Sequence, residues 1–157
     1  MSKGSSQKSA FTLIELMIVI IIVAVLAAVI VPMLQNMSPA AREAALRGDL
    51  HSLRHQILIY QMHHNGDPPS PAQLRDQLLN RTTADGQIDP QGSLGPYLIT
   101  FPSNPFNSRV DVKALASGGQ LAADDTSGWL YGVEGSNFTI VANSSGQDRS
   151  GVPLIQY

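Results

Sequence analysis

The sequence predicts an α+β fold in which a long N-terminal helix packs on a small antiparallel β-sheet. Three observations predict this fold: an apolar run near the N-terminus, a helical apolar stripe after it, and alternating segments late in the chain. The 157 residues suffice for one compact domain with an anchor, but not for two ordinary domains.

The apolar run extends from Phe11 to Leu34 and contains one charged residue, Glu15. A helix of this length spans about 36 Å, which is enough to cross a hydrocarbon core of about 30 Å. The segment before it carries Lys3 and Lys8, and such lysines favour the cytoplasmic side of a membrane. We therefore expect a single membrane-spanning helix.

Glu15 distinguishes the run from a plain membrane anchor. A carboxylate inside a membrane costs about 2.5–3.5 kcal/mol at the helix centre and less near an end. No cation lies nearby in the same helix, so we expect the partner of Glu15 to come from elsewhere. A secretory signal peptide is disfavoured. Signal peptides have an apolar core of about 7–15 residues followed by a small-residue cleavage site, whereas the run here is longer and no good site of that kind follows it.

Residues 10–16, with the sequence AFTLIEL, resemble the processing signature of the type IV pilin-like proteins. The resemblance implies that prepilin peptidase removes residues 1–10 as a leader, cuts between Ala10 and Phe11, and methylates the new N-terminus. It also implies that Glu15 pairs with the N-terminal ammonium of a neighbouring subunit, so that the two charges are buried together. Ala10 departs from the glycine usual in the family, although both residues are small.

Pro32 lies late in the apolar run, where an interior proline costs a helix about 3 kcal/mol. The family has a proline at the matching place, and the resemblance implies a kink there and a preceding segment that melts on assembly. Ser38 and Pro39 then predict a fresh helix start, with serine as the cap and proline at the first helical position.

An amphipathic helix is predicted from Ala40 to about Asn65-Gly66. Its apolar positions recur at spacings of four, three, four and three, which gives one narrow stripe: Leu46, Leu50, Leu53, Ile57 and Tyr60. A polar flank beside the stripe contains Arg47, His51 and Arg54. His51 and His55 have a spacing able to hold a metal, but without a third ligand we interpret them as a solvated face or a subunit contact.

The rest of the chain predicts a small globular head. We expect a short helix over residues 71–80 and strands over about 109–115, 128–133 and 137–142. The residues Glu134-Gly135-Ser136 predict a three-residue hairpin loop between the last two strands. This is the pilin architecture: a helix with a membrane-spanning half, over residues 11–35, and an amphipathic half that belongs to a periplasmic head over residues 36–157.

Among the pilin-like proteins, the chain most resembles the major pseudopilin of type II secretion. It has no cysteine, whereas many type IVa pilins close their C-terminal region with a disulfide. The resemblance implies a structural, non-enzymatic subunit in the inner membrane that forms a homopolymer driving protein export. Its implied partners are prepilin peptidase, the inner-membrane assembly platform with its ATPase, and the minor pseudopilins.

Two alternatives remain open at this point. The first is a type IV pilus subunit for adhesion, motility or DNA uptake, and the second is a membrane-anchored binding protein that never polymerises. No nucleic-acid partner is expected, because the 10 basic residues are outnumbered by 12 acidic ones and form no cluster. Nucleophile-elbow and phosphate-binding motifs are absent from the sequence, so no enzyme activity is expected.

Calcium is the one cofactor that the resemblance suggests, because the pseudopilin family carries an acidic calcium loop near its C-terminus. The corresponding segment here, residues 143–148, contains one acid, Asp148. Asp124 and Asp125 are the further candidates. Calcium takes six to eight oxygen ligands, several of them carboxylates, so these three residues form a weak site and no cofactor is expected.

Overall fold

The computed structural model describes residues 13–35, 38–115 and 121–157. In chain order they form helices α1 (Leu13–Gln35), α2 (Pro39–His63) and α3 (Leu74–Leu79), strands β1 (Val112–Ala114), β2 (Trp129–Glu134) and β3 (Asn137–Ala142), and a 3₁₀ helix (Leu154–Gln156). The chain divides between Met37 and Ser38 into two compact units. Helices followed by a small sheet confirm the predicted α+β class.

Helix α1 is apolar on all sides, because nearly every residue in it is aliphatic. From Leu13 to Ala28 every side chain is exposed, and the exposed fractions of the large apolar ones lie between 79% at Leu13 and 51% at Ile18. Among the fully described residues, no helix is both long enough and apolar enough to cross a membrane. Pro32 lies inside α1, which continues to Gln35, and its kink stays a prediction.

Helix α2 begins and ends where the sequence predicts. The Ser38 hydroxyl accepts a hydrogen bond of 3.2 Å from the Ala41 amide, and Pro39 occupies the first turn. At the other end, Asn65 and Gly66 both have positive φ angles, 57° and 94°, which is how helices commonly stop. All five predicted stripe residues are buried, so the predicted amphipathic helix is confirmed.

The core of the second unit forms where the α2 stripe meets α3, the sheet and the last turn of the chain. Its other large members are Leu74, Leu78, Phe101, Trp129, Tyr131, Ile140 and Leu154. Helix α3 is shorter than predicted, because residues 71–73 form a turn in which the Gln73 amide donates to Ser70. A single core of this kind needs both the helix and the sheet, since each buries one face against the other.

The sheet is mixed rather than antiparallel, so the predicted strand directions are wrong for β1. Strands β2 and β3 form the predicted antiparallel pair, with Trp129 opposite Ala142. Strand β1 pairs with β2 in parallel, with Val112 opposite Trp129, in the order β1-β2-β3. The connection over residues 115–128 has the dozen or more residues that a parallel crossover requires, and sequence patterning does not fix strand direction.

The hairpin between β2 and β3 has a two-residue loop, not the predicted three-residue one. Glu134 pairs with Asn137 as the last rung of the ladder, which leaves only Gly135 and Ser136 in the turn. Gly135 has a φ of 60°. Two-residue hairpin turns need a positive φ at their first central position, and glycine supplies it without strain.

Candidate functional site

The predicted processing site lies outside the described residues, since these begin at residue 13. Glu15 lies in the first turn of α1 and is exposed. The first turn of a helix carries partial positive charge, which favours a carboxylate there by about 0.3–1 kcal/mol. The helix position of Glu15 is therefore one where a carboxylate costs less than at the helix centre.

The described side chains of α1 form a continuous apolar surface over residues 13–28, interrupted by Glu15. Exposed apolar patches larger than a few hundred Å² mark interaction surfaces in proteins or membranes. The α1 surface therefore needs an apolar environment or a partner, as the apolar run in the sequence predicts.

The predicted polar flank of α2 contacts the end of the chain, which we call the C-terminal strap (residues 148–157). The Arg47 guanidinium donates a hydrogen bond of 2.6 Å to the Tyr157 hydroxyl, and it lies 4.8 Å from the centre of that ring. It also forms an ion pair of 3.5 Å with Asp148. Hydrogen bonds from the Tyr157 hydroxyl and from the strap's own backbone lower the pKa of Asp148.

Two further residues of α2 hold the same strap. Glu43 is buried and accepts a hydrogen bond of 3.0 Å from the Arg149 amide. Arg54 donates to the main-chain oxygen of Tyr157 and, at 3.0 Å, to that of Ile140 in β3, and burial lowers its pKa. Both arginines of the predicted flank are therefore engaged within the chain, whereas His51 and His55 are exposed.

The structure does not bring the three candidate calcium ligands together around one point. Asp148 lies in the strap contact, while Asp125 accepts a hydrogen bond of 3.1 Å from the Ser145 amide. Asp124 is bonded to the Lys113 ammonium and, at 2.7 Å, to the Asn143 side-chain amide. In the described part of the chain, no three His, Cys, Asp or Glu residues are grouped so as to hold a metal ion.

Lys113 takes the place that a cation would have beside Asp124. Its ammonium is the main cause that holds the pKa of Asp124 far below its ordinary value, with the Asn143 amide second. The donor set therefore does not fit a calcium ion, because the carboxylate is already neutralised and hydrogen-bonded. Sequence reasoning missed Lys113, although a lysine inside a predicted strand is a usable signal for an ion pair across neighbouring segments.

A buried asparagine connects the proline-rich turn at residues 101–106 to the sheet. The Asn104 side chain donates hydrogen bonds to the Gly128 carbonyl at 2.7 Å and to the Ser144 hydroxyl at 3.0 Å. Its own oxygen accepts from the Phe106 amide at 2.9 Å. A buried amide with all these bonds made fixes the turn in one conformation.

Comparison with known proteins identifies relatives of the chain. Residues 5–31 match the family model of the prokaryotic N-terminal methylation motif. The type II secretion system core protein G of Pseudomonas aeruginosa is 28% identical over 133 residues, which cover 76% of this chain and 90% of that protein. The protein of the same name from Aeromonas hydrophila is 26% identical over 133 residues, or 78% of this chain and 92% of that protein.

No solved structure matches the chain significantly. The motif match lies on the predicted signature, and the similarity to the two core proteins extends well beyond it into the second unit. The motif and the two relatives thus agree with the predicted resemblance to the type IV pilin-like proteins, and among them to type II secretion system core protein G.

Proposed function

We propose that the chain is a structural subunit of a type II secretion pseudopilus, a filament that drives protein export. The observation that carries the proposal is the length of the similarity to core protein G, which covers 90% of the relative from Pseudomonas aeruginosa. A shared methylation motif alone would fit any pilin-like protein, but the similarity here includes the head. In this proposal the role of the chain is structural rather than catalytic.

The proposed maturation assigns a role to each part of the chain. Prepilin peptidase removes residues 1–10 and methylates Phe11. Residues 11–35 then anchor the subunit in the inner membrane and later form the filament core, while residues 36–157 form the periplasmic head. An assembly platform and its ATPase polymerise the subunit, and minor pseudopilins join the same filament.

The exposed apolar surface of α1 supports this path, because it requires either lipid or the same helix of neighbouring subunits around it. In the filament we expect Glu15 to pair with the methylated N-terminus of a neighbour. A subunit out of register would bury that charge without its partner, at a cost of several kcal/mol. The pairing would thus set the register of the polymer.

The first experiment measures the intact mass and N-terminal peptide of the full chain, purified from membranes of cells with and without prepilin peptidase. We expect a chain that starts at methylated Phe11 only where the peptidase is present. An Ala10→Leu variant, in which a bulky residue replaces the small one, should remain uncut. A full-length chain in both strains would refute the proposed maturation.

A second experiment tests the export role. Deleting the gene in its own host should stop the export of secreted proteins, and the wild-type chain should restore it. If export continues normally while a long surface filament disappears, the chain belongs to a pilus and the pseudopilus proposal fails.

A further inference from the structure

We propose that a pocket at the C-terminal end of α2 binds an organic cation, a guanidinium or ammonium group carried on a short chain. This proposal does not rest on the pseudopilus function, because it concerns the head alone. The pocket has a volume of about 200 Å³. It lies between the loop that follows α2 and the turn at residues 84–86, and its walls include Tyr60, His64, Asp67, Gln77, Asp85 and Gly86.

Two polar residues that line the pocket, Gln77 and His64, already form their hydrogen bonds within the protein. The Gln77 amide accepts from the Ser70 backbone at 2.8 Å and donates to the Gly86 carbonyl at 2.7 Å. The His64 ring lies 2.7 Å from the Tyr60 carbonyl and 3.0 Å from the Thr82 hydroxyl, and it stacks on the Tyr60 ring at 3.6 Å. These contacts give the pocket a fixed shape without using its remaining polar groups.

The Tyr60 hydroxyl is the polar group of the pocket that still lacks a hydrogen-bond partner within the described structure. Tyr60 is only 2% exposed, and its hydroxyl has no hydrogen-bond partner among residues 13–35, 38–115 and 121–157. All fully buried side-chain polar atoms of these residues do have partners, so this hydroxyl must reach solvent, and the pocket is where Tyr60 does so. A buried tyrosine hydroxyl usually has a hydrogen-bond partner, and here that partner has to come from the pocket.

Gly86 keeps the space in front of this hydroxyl open. A Cβ atom on Gly86 would lie 2.6 Å from the Tyr60 hydroxyl oxygen and 3.4 Å from the Gln77 amide nitrogen. Gly86 also has a φ of 76°, which other residues rarely adopt. Any side chain there would occupy the place of the ligand.

The charge of the pocket determines the class of ligand. Its lining contains two carboxylates, Asp67 and Asp85, and neither lysine nor arginine. In the described structure, neither carboxylate forms a hydrogen bond or an ion pair. The C-terminal end of α2, with its partial negative charge, adds to the same field. A cation that donates several hydrogen bonds would be bound by both carboxylates and by the Tyr60 oxygen.

An organic cation fits better than a metal ion. A hard divalent cation needs about six oxygen ligands around one point, whereas the described residues offer no group of three acidic or metal-binding side chains. The walls also include Pro68 and Ala84, whose apolar atoms suit an alkyl chain. The cation could be a side chain of a second copy or a free small molecule, because both present the same chemistry.

The test uses the full chain in detergent micelles, with ¹⁵N NMR titrations of acetyl-arginine amide and acetyl-lysine amide. Acetyl-citrulline amide, which is neutral and of similar shape, is the matched control ligand. We expect the charged ligands to shift the amides of residues 60–67 and 84–86, and the neutral one to shift them little. Equal binding of citrulline, or tighter binding of Ca²⁺ or Mg²⁺ at these residues, would overturn the proposal.

Variants separate the pocket from general charge effects. Tyr60→Phe and Asp85→Asn should each weaken binding by about tenfold, the loss expected for one hydrogen bond to a charged group. Asp76→Asn removes an equal charge from the exposed side of α3 and should leave the affinity unchanged. An equal effect of Asp76→Asn would mean that only net charge matters, and the site would be rejected.

A dilution series of the unliganded chain then identifies the source of the cation. Concentration-dependent shifts at the same amides, suppressed by acetyl-arginine amide, would support the site with a second copy as the donor. Shifts that require added ligand at every protein concentration would support it with a small molecule.

Discussion

The Arg54 guanidinium donates a hydrogen bond of 3.0 Å to the main-chain carbonyl of Ile140, so that α2 is tied to the last strand of the sheet. Ile140 is only 1% exposed, and Arg54 also bonds the main chain of Tyr157. One side chain therefore joins a helix, a strand and the C-terminal strap.

Replacing Arg54 by methionine should destabilise the head. The change keeps most of the aliphatic length but leaves the Ile140 carbonyl without its donor, which costs about 1–3 kcal/mol. Urea unfolding measures the change in free energy. Arg75→Met is the matched control, because Arg75 is exposed on α3, and similar losses in the two variants would contradict the role of Arg54.

The charged carboxylate of Asp49 should destabilise the head at neutral pH, and this destabilisation should disappear in acid. Burial raises the pKa of Asp49 above its ordinary value, so its charged form opposes folding above the folded-state pKa. Asp49→Asn should therefore raise the melting temperature at pH 7, and the gain should vanish as the pH falls below about 4. A gain that persists unchanged in acid would show that desolvation of the charge is not the cause.

The ion pair between Lys113 and Asp124 has the opposite pH dependence. Because the pair lowers the pKa of Asp124, its stabilisation is complete above about pH 4 and is lost as the pH falls further. Lys113→Met should thus lower the melting temperature at pH 6, and by a smaller amount at pH 2, because the stabilisation is lost only as the pH falls through the lowered pKa of Asp124. Arg109→Met, which removes an exposed pair of 3.8 Å, should have little effect at either pH.

Glu15→Ala should leave cleavage and methylation intact but reduce the yield of filaments. The peptidase acts before Phe11, whereas the proposed pairing acts only between assembled subunits. Sheared filaments quantified by immunoblot, beside the intact mass of the same sample, measure both steps. Leu16→Ala alters the same helical turn without removing a charge and should give more filaments than Glu15→Ala. Wild-type filament yields from Glu15→Ala would contradict the proposal that Glu15 sets the register of the polymer.

Two glycines should respond in opposite directions to alanine. Gly48 lies in α2 with nothing within 4 Å of an added Cβ, so Gly48→Ala should stabilise the head by about 0.5–1 kcal/mol. A Cβ on Gly128 would lie 2.2 Å from the Arg109 carbonyl oxygen, so Gly128→Ala should destabilise it by more than 1 kcal/mol. Thermal unfolding of both variants checks the pair, and the same sign for both would contradict it.

The sequence was sufficient to predict features that depend on local pattern. The α2 stripe, the Ser38 cap and the β2–β3 pairing each follow from neighbouring residues, because helical and strand periods repeat over a few positions. The parallel placement of β1 did not follow, since it depends on where a long connection returns. The partners of Arg54 and Lys113 were missed for the same reason: each partner lies on a segment that only the tertiary fold brings close.

The candidate calcium ligands show why functional sites are harder to predict from sequence than local structure. Asp124 and Asp148 are both acids near the C-terminus, yet the first lies beside Lys113 and the second beside Arg47. A count of acids identifies candidates, but whether they converge depends on the fold. The pocket at Tyr60 was likewise invisible in sequence, where Tyr60 is simply one position of an apolar stripe.

The C-terminal strap also has a consequence for the order of folding. The contact between Arg54 and Tyr157 joins residues 103 positions apart, so it raises the mean sequence separation of the contacts, and such long-range contacts slow folding. Helix α2 leaves the ribosome long before the residues that complete its polar side. The last native contacts of the head therefore form only after residue 157 has been added to the chain.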